Sequence, residues 1–316
     1  MRVLVADRFS DEARASLAAD GFEVFYTPDA RDDSLTQAIA DTNADVLVVR
    51  STRVPSDMLR AGSLALVIRA GAGYNTIDIE AAKAQGVFVS NCPGKNSNAV
   101  AEIAFGLIIA LDRQITANTT DLRSGIWRKA SYSSARGLAG STLGLVGVGR
   151  IGRAMIPRAK AFGISVVGWS RSLTCDVASE LDIGRKRSPI EVAKAADVVS
   201  VHVSLTDDTR ALVGRAFFEA MREGAIFINT SRAEVVDEAA LAWAVRERGI
   251  RAGLDVFEGE PPSGTGTIDN PLFVLEGVIG THHIGCQTSE AQRAIADETV
   301  RIIREFRATG TPPNLV

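Results

Sequence analysis

The sequence predicts an α/β protein built from two doubly wound parallel-sheet lobes. Its 316 residues exceed one ordinary small domain and fit two, each with its own core. Short runs rich in β-branched residues alternate with helical stretches, as in parallel sheets that helices cover on both faces. A glycine-rich turn, Gly147–Gly152, stands between one such run and a helical stretch, which is typical of a dinucleotide-binding lobe.

The composition excludes several classes of protein. Hydrophobic residues make up 46% of the chain and charged residues 23%, which is ordinary for a globular protein. A net charge of −3 offers no basic field for nucleic acid or an anionic membrane. The three cysteines lack CxxC spacing and only three histidines are present, so we expect no metal. No signal peptide or membrane span is evident, so we expect a cytoplasmic location.

The first lobe is expected to begin at the N-terminus. Apolar runs predict strands at 3–5, 46–49, 66–68 and 87–89, with helices at 11–20 and 56–61. A long helix over 99–117, with Ser97 or Asn98 as its N-cap, then predicts a crossover out of this lobe.

The second lobe is expected to contain six strands in a nucleotide-binding order. The runs that predict them lie at 142–146, 165–168, 198–201, 225–228, 253–256 and 278–279. Residues 261–266 are rich in proline and glycine and predict a loop. An amphipathic helix over 289–309 is expected to pack on the first lobe. We therefore expect a discontinuous substrate domain (1–97 and 286–316) and a dinucleotide-binding domain (98–285).

The glycine turn has the spacing GxGxxG. Gly147 permits a tight turn, Gly149 lets backbone N–H groups approach a pyrophosphate, and Gly152 lets the helix pack closely. The N-terminus of the following helix adds N–H groups and a positive dipole end. A turn without a ligand is the alternative, but the flanking strand and helix favour a dinucleotide site that also includes Arg150 and Ile151.

The residues after the second strand of this lobe bear on the choice between NAD and NADP. An NAD site usually places Asp or Glu here, against the ribose hydroxyls, whereas this chain has Ser170, Arg171 and Ser172. Ser170 can donate a hydrogen bond to a 2′-phosphate, and the Arg171 guanidinium can pair with it. The alternative is a solvated Arg171 with NAD bound without an acidic contact. We expect NADP(H) to be favoured over NAD(H).

Three further segments follow strands of the second lobe: Asn229–Arg232, Leu254–Pro261 and Thr281–Gly285. Carboxyl ends of strands are where a doubly wound sheet builds its site. With the glycine turn and the first-lobe stretches Arg69–Asp78 and Asn91–Asn96, these segments resemble the D-2-hydroxyacid dehydrogenases over nearly the whole chain. Within that family the resemblance is closest to the 3-phosphoglycerate and hydroxypyruvate–glyoxylate branches. It implies a Rossmann-type nucleotide domain and a flavodoxin-like substrate domain.

The resemblance also implies catalytic roles. Arg232 would be the catalytic arginine, Glu260 the acid paired with the base, and His283 the proton carrier. Imidazole suits this task because its pKa lies near neutrality, and a carboxylate on the other ring nitrogen stabilises the imidazolium. Thr230 and Asp255 are further candidate cofactor contacts.

Structural roles for these residues are the alternative. Glu260 would then be loop surface, and Arg232 would pair with Glu234 or Asp237. The ordered set of three residues after the expected strands favours catalysis. His282, where the family usually has proline, is a departure, as are Ala233 and Cys286. These departures put substrate preference in doubt more than reaction type.

Substrate contacts are expected from the first lobe. The small residues Gly71–Gly73 let a carboxylate approach the backbone N–H groups, so Ala72 and Gly73 are candidate contacts. The resemblance implies that Arg50 and Ser51 bind a phosphate or distal hydroxyl of the substrate, whereas Arg53 is interpreted as a solvated arginine.

The sequence thus predicts a dehydrogenase that transfers a hydride between NAD(P)(H) and C2 of a small D-2-hydroxy or 2-keto acid. The 3-phosphoglycerate, hydroxypyruvate and glyoxylate classes stay open, and the site is expected between the lobes. The alternative is a nucleotide-sensing protein like the corepressors that reuse this fold; a formate-type enzyme is disfavoured because its histidine partner would be glutamine. Residues 99–140 resemble the dimer-forming region, so a homodimer is expected, and no regulatory domain is expected after Val316.

Overall fold

The computed structural model describes residues 1–261 and 264–316. The strands of these residues are β1 (Arg2–Val5), β2 (Glu23–Tyr26), β3 (Val46–Val49), β4 (Leu66–Arg69), β5 (Phe88–Asn91), β6 (Thr142–Val146), β7 (Ser165–Trp169), β8 (Gly184–Arg185), β9 (Val198–Val201), β10 (Ile226–Asn229), β11 (Arg251–Leu254) and β12 (Val278–Gly280). The α-helices are α1 (Asp11–Ala19), α2 (Asp32–Thr42), α3 (Ile79–Ala84), α4 (Ser97–Asp112), α5 (Ile115–Arg123), α6 (Arg150–Ala161), α7 (Cys175–Glu180), α8 (Pro189–Ala195), α9 (Arg215–Ala220), α10 (Glu238–Arg248) and α11 (Ser289–Thr309).

The chain divides into two compact units. One comprises Met1–Asn96 and Gln287–Val316, and the other Ser97–Cys286. These boundaries differ by one residue from those expected. Each unit contains one sheet, and both sheets are parallel throughout.

The first unit has the five-stranded order β2-β1-β3-β4-β5, which is the flavodoxin-like order. Adjacent residues of a strand point to opposite faces, and both faces are covered. Val3 and Val5 lie in a buried cluster with residues of α1 and α11, whereas Leu4 lies in a second cluster with residues of α2 and α3. Burial on both faces explains why β3 is apolar at every position.

The second unit has the seven-stranded order β12-β11-β10-β9-β6-β7-β8. Counted from β6, this is the Rossmann arrangement, in which strand order reverses between β6 and β9. One face is covered by residues of α4, α6 and α7, and the other by residues of α8, α9 and α10. The carboxyl ends of these strands therefore meet at one edge, where the candidate site residues follow them.

Several sequence-based expectations were wrong in detail. The helix expected over 99–117 is two helices, because Gln114 adopts φ 51° between α4 and α5. Since α4 begins at Ser97, neither Ser97 nor Asn98 is its N-cap. The expected helix at 56–61 is a single 3₁₀ turn, Met58–Arg60. The second sheet has seven strands, not six, because the two-residue edge strand β8 carries no apolar run.

Residues 262 and 263 of the expected loop lie outside the described residues, and the other four residues of 261–266 form neither helix nor strand. In the described part of the chain, no helix combines the length and apolar character that a bilayer crossing requires.

Candidate active site

The glycine turn joins β6 to α6, and its three glycines differ in how much room a side chain would have. A Cβ on Gly147, which has φ 105°, would lie 2.6 Å from the backbone carbonyl of His202. A Cβ on Gly152 would lie 2.3 Å from the Gly147 carbonyl oxygen. Gly149 is different, because a Cβ there would meet no atom within 4 Å. Gly147 and Gly152 are thus required by packing, whereas Gly149 leaves open space.

This open space fits the pyrophosphate of a dinucleotide. Gly149 is the N-cap of α6, and no side chain of the described residues caps that helix. The first-turn N–H groups and the positive end of the helix dipole therefore face the space above Gly149, together with the exposed Arg150. Ile151 is half-buried in the same turn.

The loop after β7 carries the residues expected to distinguish NAD from NADP. Ser170 is half-buried, and Arg171 and Ser172 are exposed. Arg171 forms an ion pair with Asp208 at 3.3 Å, so it is not simply solvated.

A half-buried histidine near the turn, His202, was not singled out from the sequence. The His202 ring accepts or donates a hydrogen bond at Ser200 Oγ (2.9 Å) and lies 3.5 Å from Thr230 Oγ1. Burial lowers the pKa of His202 to about 3, so the ring is neutral at pH 7. Through these two hydroxyl contacts the ring links β9 to the residues after β10.

The turn after β10 presents Arg232. Asn229 is buried and folds this turn, because its Oδ1 accepts hydrogen bonds from the N–H and Oγ of Ser231. Asn229 Nδ2 donates to the Arg232 carbonyl at 2.9 Å. Such local bonding is typical of asparagine in turns.

Arg232 itself is half-buried and donates from Nη1 to the Ser231 carbonyl at 2.6 Å. Burial lowers its pKa from the ordinary value, while the charges of Glu234 and Glu260 act in the opposite direction. The guanidinium remains protonated because the ordinary pKa of arginine lies above 12. Asp237 instead caps α10 by accepting a hydrogen bond from the Ala240 N–H.

His283 and Glu260 form a hydrogen-bonded pair. His283 Nδ1 lies 2.7 Å from Glu260 Oε2, and Glu260 Oε1 accepts from the Phe257 N–H at 3.1 Å. Burial alone would raise the pKa of Glu260, but the hydrogen bond and charge of His283, the Phe257 N–H and Arg232 together lower it. Glu260 is therefore an ionised carboxylate that holds His283 Nδ1, so Nε2 is the ring nitrogen that Glu260 does not contact.

Asp255 holds the backbone around His283. It is buried, and its carboxylate accepts hydrogen bonds from Thr281 Oγ1 (2.6 Å), the Ile284 N–H (2.8 Å) and the Gly285 N–H (2.9 Å). Its carbonyl accepts from the His283 N–H at 2.9 Å. These contacts stabilise His283 at φ 50°, in the left-handed region. The expected cofactor contact by Asp255 stays a prediction, beside this positioning role.

Two loops of the first unit carry the candidate substrate contacts. The backbone N–H groups of Arg50, Ser51 and Thr52 all donate to Oδ2 of Asp7, at 2.6, 3.1 and 3.2 Å. Asp7 is buried at the end of β1 and forms an ion pair with Arg31 at 3.0 Å. One carboxylate thus shapes the loop after β3. Asp7 was not singled out from the sequence, although a carboxylate two residues after an apolar strand pointed to it.

The loop Gly71–Gly73 after β4 is fixed in a similar way. Asn91 Nδ2 donates to the Ala72 carbonyl at 2.6 Å, and the Cys92 N–H donates to the Gly71 carbonyl at 2.9 Å. A Cβ on Gly71 would lie 1.7 Å from Nη1 of Arg69, so glycine lets this guanidinium lie over the loop. Ala72 and Gly73 lie beside it. Asn91 was not singled out as a site residue from the sequence.

Comparison with known proteins assigns the chain to a family. Residues 105–285 match the family model described as the D-isomer specific 2-hydroxyacid dehydrogenase, NAD binding domain. The chain belongs to the D-isomer-specific 2-hydroxyacid dehydrogenase family. It is 39% identical over 311 residues to D-3-phosphoglycerate dehydrogenase of Methanocaldococcus jannaschii, covering 96% of this chain and 58% of that protein. The chain thus spans little more than half the length of this relative.

Other relatives match over more of their own length. Hydroxypyruvate reductase of Thermotoga maritima is 39% identical over 279 residues, covering 87% of this chain and 88% of that protein. Among solved structures, a Thermus thermophilus protein superposes over 100% of both chains, with TM-score 0.88 and 32% identity.

Two further solved structures that resemble this chain differ in cofactor. NAD⁺-bound 3-phosphoglycerate dehydrogenase of Entamoeba histolytica has TM-score 0.83 and 26% identity, covering 100% of this chain and 98% of that one. An acyclic imino acid reductase in complex with NADPH and D-Arg has TM-score 0.86 and 26% identity, covering 100% of both chains. Both superpositions support an NAD(P)-binding domain here.

Proposed function

We propose that this chain transfers a hydride between NAD(P)(H) and C2 of a small D-2-hydroxy acid or the corresponding 2-keto acid. The observation that carries this proposal is the pairing of His283 Nδ1 with Glu260 Oε2 at 2.7 Å, in one unit with Arg232 and the glycine turn. The names of the relatives support the substrate class: 3-phosphoglycerate, hydroxypyruvate and glyoxylate.

The proton moves through His283. When the acid is oxidised, Nε2 accepts the proton of the C2 hydroxyl, and in the reverse direction the imidazolium returns it to the carbonyl oxygen. Glu260, kept ionised by its neighbours, stabilises the imidazolium and holds the Nε2 lone pair outward. The nicotinamide ring, when bound, supplies or accepts the hydride.

Arg232 binds and polarises the substrate. Its planar, permanently charged guanidinium suits a carboxylate and the developing charge on the C2 oxygen. Its partial burial strengthens these interactions relative to those in water. Arg50, Ser51, Ala72 and Gly73 are proposed substrate contacts from the first unit, on loops that Asp7 and Asn91 hold.

NADP(H) is the proposed preferred cofactor. No acidic residue follows β7 directly, and Arg171 offers a cation to a 2′-phosphate. Thr230 and Asp255 are proposed as further contacts of the bound dinucleotide, with the glycine turn and Arg150, Ile151, Ser170 and Ser172.

A spectrophotometric assay tests both assignments. Oxidation of NADPH and NADH is followed by absorbance while hydroxypyruvate, glyoxylate and 3-phosphohydroxypyruvate are each offered. We expect turnover with NADPH and an unphosphorylated acid. Turnover with NADH and only the phosphorylated acid would keep the reaction type and reject the cofactor preference. No turnover with any pair would reject the enzyme assignment for these substrates.

We also propose a cytoplasmic homodimer formed through residues 99–140. Apolar side chains stand exposed in this segment, with Trp127 at 79% and Leu122 at 58% exposure. Exposed apolar clusters of this kind favour an interface. The mass in solution tests this; a strictly monomeric mass at micromolar concentration rejects it.

A further inference from the structure

The ion pair between Arg171 and Asp208 joins two loops of the dinucleotide-binding unit. Arg171 follows β7, and Asp208 lies in the 3₁₀ turn Asp207–Thr209 after β9. Arg171 Nη1 and Asp208 Oδ2 are 3.3 Å apart, and the two side chains are 66% and 80% exposed. Neither side chain belongs to the buried clusters of this unit, so the pair lies at its surface.

The position of the pair follows from the strand order. Because β6 lies between β9 and β7, the loops after β9 and β7 flank the glycine turn on its two sides. The backbone at His202 approaches Gly147 so closely that no Cβ fits between them. The pair therefore links the two loops that flank the glycine turn, and one of them carries Ser170 and Arg171, the residues proposed to meet the adenosine ribose.

We propose that Asp208 is a specificity-determining residue that limits how strongly the site prefers NADP(H) over NAD(H). The inference rests on the proposed role of Arg171. A 2′-phosphate carries nearly two negative charges, so it must compete with Asp208 for the Arg171 guanidinium and is repelled by the carboxylate. NAD(H) carries a neutral 2′-hydroxyl there, so it neither competes for Arg171 nor is repelled by Asp208. Asp208 thus weakens the NADP(H) complex selectively.

The test is direct binding, independent of turnover. Dissociation constants for NADPH and NADH are measured by fluorescence titration of the purified protein and of Asp208→Asn. We expect Asp208→Asn to lower the constant for NADPH about three- to tenfold and to change that for NADH by less than about twofold, with the gain shrinking at high salt. Asp207→Asn removes the same charge one residue away and serves as the matched control; it should shift NADPH binding less than Asp208→Asn does.

Arg171→Ala separates this inference from the proposal on which it rests. If Arg171→Ala weakens NADPH binding but Asp208→Asn changes nothing, the role of Asp208 is overturned and the cofactor assignment stands. If Arg171→Ala leaves NADPH binding unchanged, the cofactor assignment itself fails. Weaker NADH binding by Asp208→Asn would also overturn the inference, because the carboxylate would then hold the ribose hydroxyls. In an Arg171→Ala background, only the direct repulsion of the 2′-phosphate by Asp208 is left, so we expect Asp208→Asn to change NADPH binding less than it does in the wild type.

Discussion

Replacing Glu260 with glutamine tests the proposed acid–base pair most sharply. Glutamine keeps an oxygen for the Phe257 N–H, which donates to Oε1 at 3.1 Å. Its amide nitrogen then faces His283 Nδ1, where the carboxylate oxygen now lies at 2.7 Å. A donor in that place stabilises the opposite tautomer and no longer stabilises the imidazolium.

The magnitude follows from the hydrogen bond that is lost. A hydrogen bond to a charged group contributes about 1.5–3 kcal/mol, but the His283 side chain is 46% exposed, so solvent screening reduces this to about 1–2 kcal/mol. This corresponds to a fall in kcat of about five- to thirtyfold.

The assay is the initial rate of NADPH oxidation with hydroxypyruvate, measured across pH, with cofactor binding measured separately. Glu258→Gln is the matched control, because Glu258 is exposed in the same loop and does not contact His283 in the described residues. We expect the control to behave like the wild type. If Glu260→Gln keeps kcat within about twofold of the control, Glu260 is not the partner of the base.

Three further predictions concern the substrate charge, the glycine turn and stability. Arg232→Lys should lower kcat/KM about 10²-fold or more with dinucleotide affinity little changed, because the planar fork is lost; steady-state kinetics and titration check this. Gly149→Val should weaken NADPH binding without lowering the melting temperature, because a side chain there enters open space. Gly152→Ala should lower the melting temperature, because its Cβ would lie 2.3 Å from the Gly147 carbonyl oxygen. If the two variants change NADPH binding and melting temperature equally, the packing argument is contradicted. Hydrogen bonds from Arg301 and others lower the pKa of Glu298 from 4.5 to about 2. The ionised Glu298 therefore stabilises the folded chain fully above its unfolded-state pKa of 4.5, and this stabilisation is lost as the pH falls toward 2. Glu298→Gln should therefore destabilise most near pH 7 and progressively less in acid, as chemical denaturation at several pH values will measure.

The positions of most strands were predictable because buried parallel strands are continuous apolar runs. The expected ranges of β3, β6, β9 and α11 agree with those observed. The strand β2 was missed, since it begins with the exposed Glu23 and none of its residues is fully buried. A strand at the edge of a sheet buries too little apolar surface to stand out from a loop in the sequence.

The break between α4 and α5 illustrates a different limit. Residues 113 and 114 carry no proline or glycine, and both side chains are compatible with a helix. Gln114 adopts a left-handed conformation between α4 and α5. Contacts with the rest of the fold select this conformation, so the helix propensities of residues 113 and 114 do not predict it.

The candidate catalytic residues could be named from the sequence through the family resemblance, whereas the residues that hold their loops could not. His283 and Glu260 are 23 positions apart, and the resemblance implied their pairing, but the 2.7 Å contact comes from the structure. Asp7 and Asn91 act through hydrogen bonds to the backbone of loops that lie 43 and 19 positions away, at Arg50 and Ala72. Pairings of this kind leave no pattern in one sequence, because each partner alone resembles an ordinary polar residue at a strand end.

The central claim is that this chain delivers a hydride to C2 of a small keto acid on the face that gives the D product. It is tested most directly by offering hydroxypyruvate with reduced cofactor that carries deuterium at C4 of the nicotinamide, on the transferred face, and analysing the product by mass spectrometry and chiral chromatography. The account predicts D-glycerate with deuterium at C2. Product without deuterium at C2, or the L enantiomer, would contradict it.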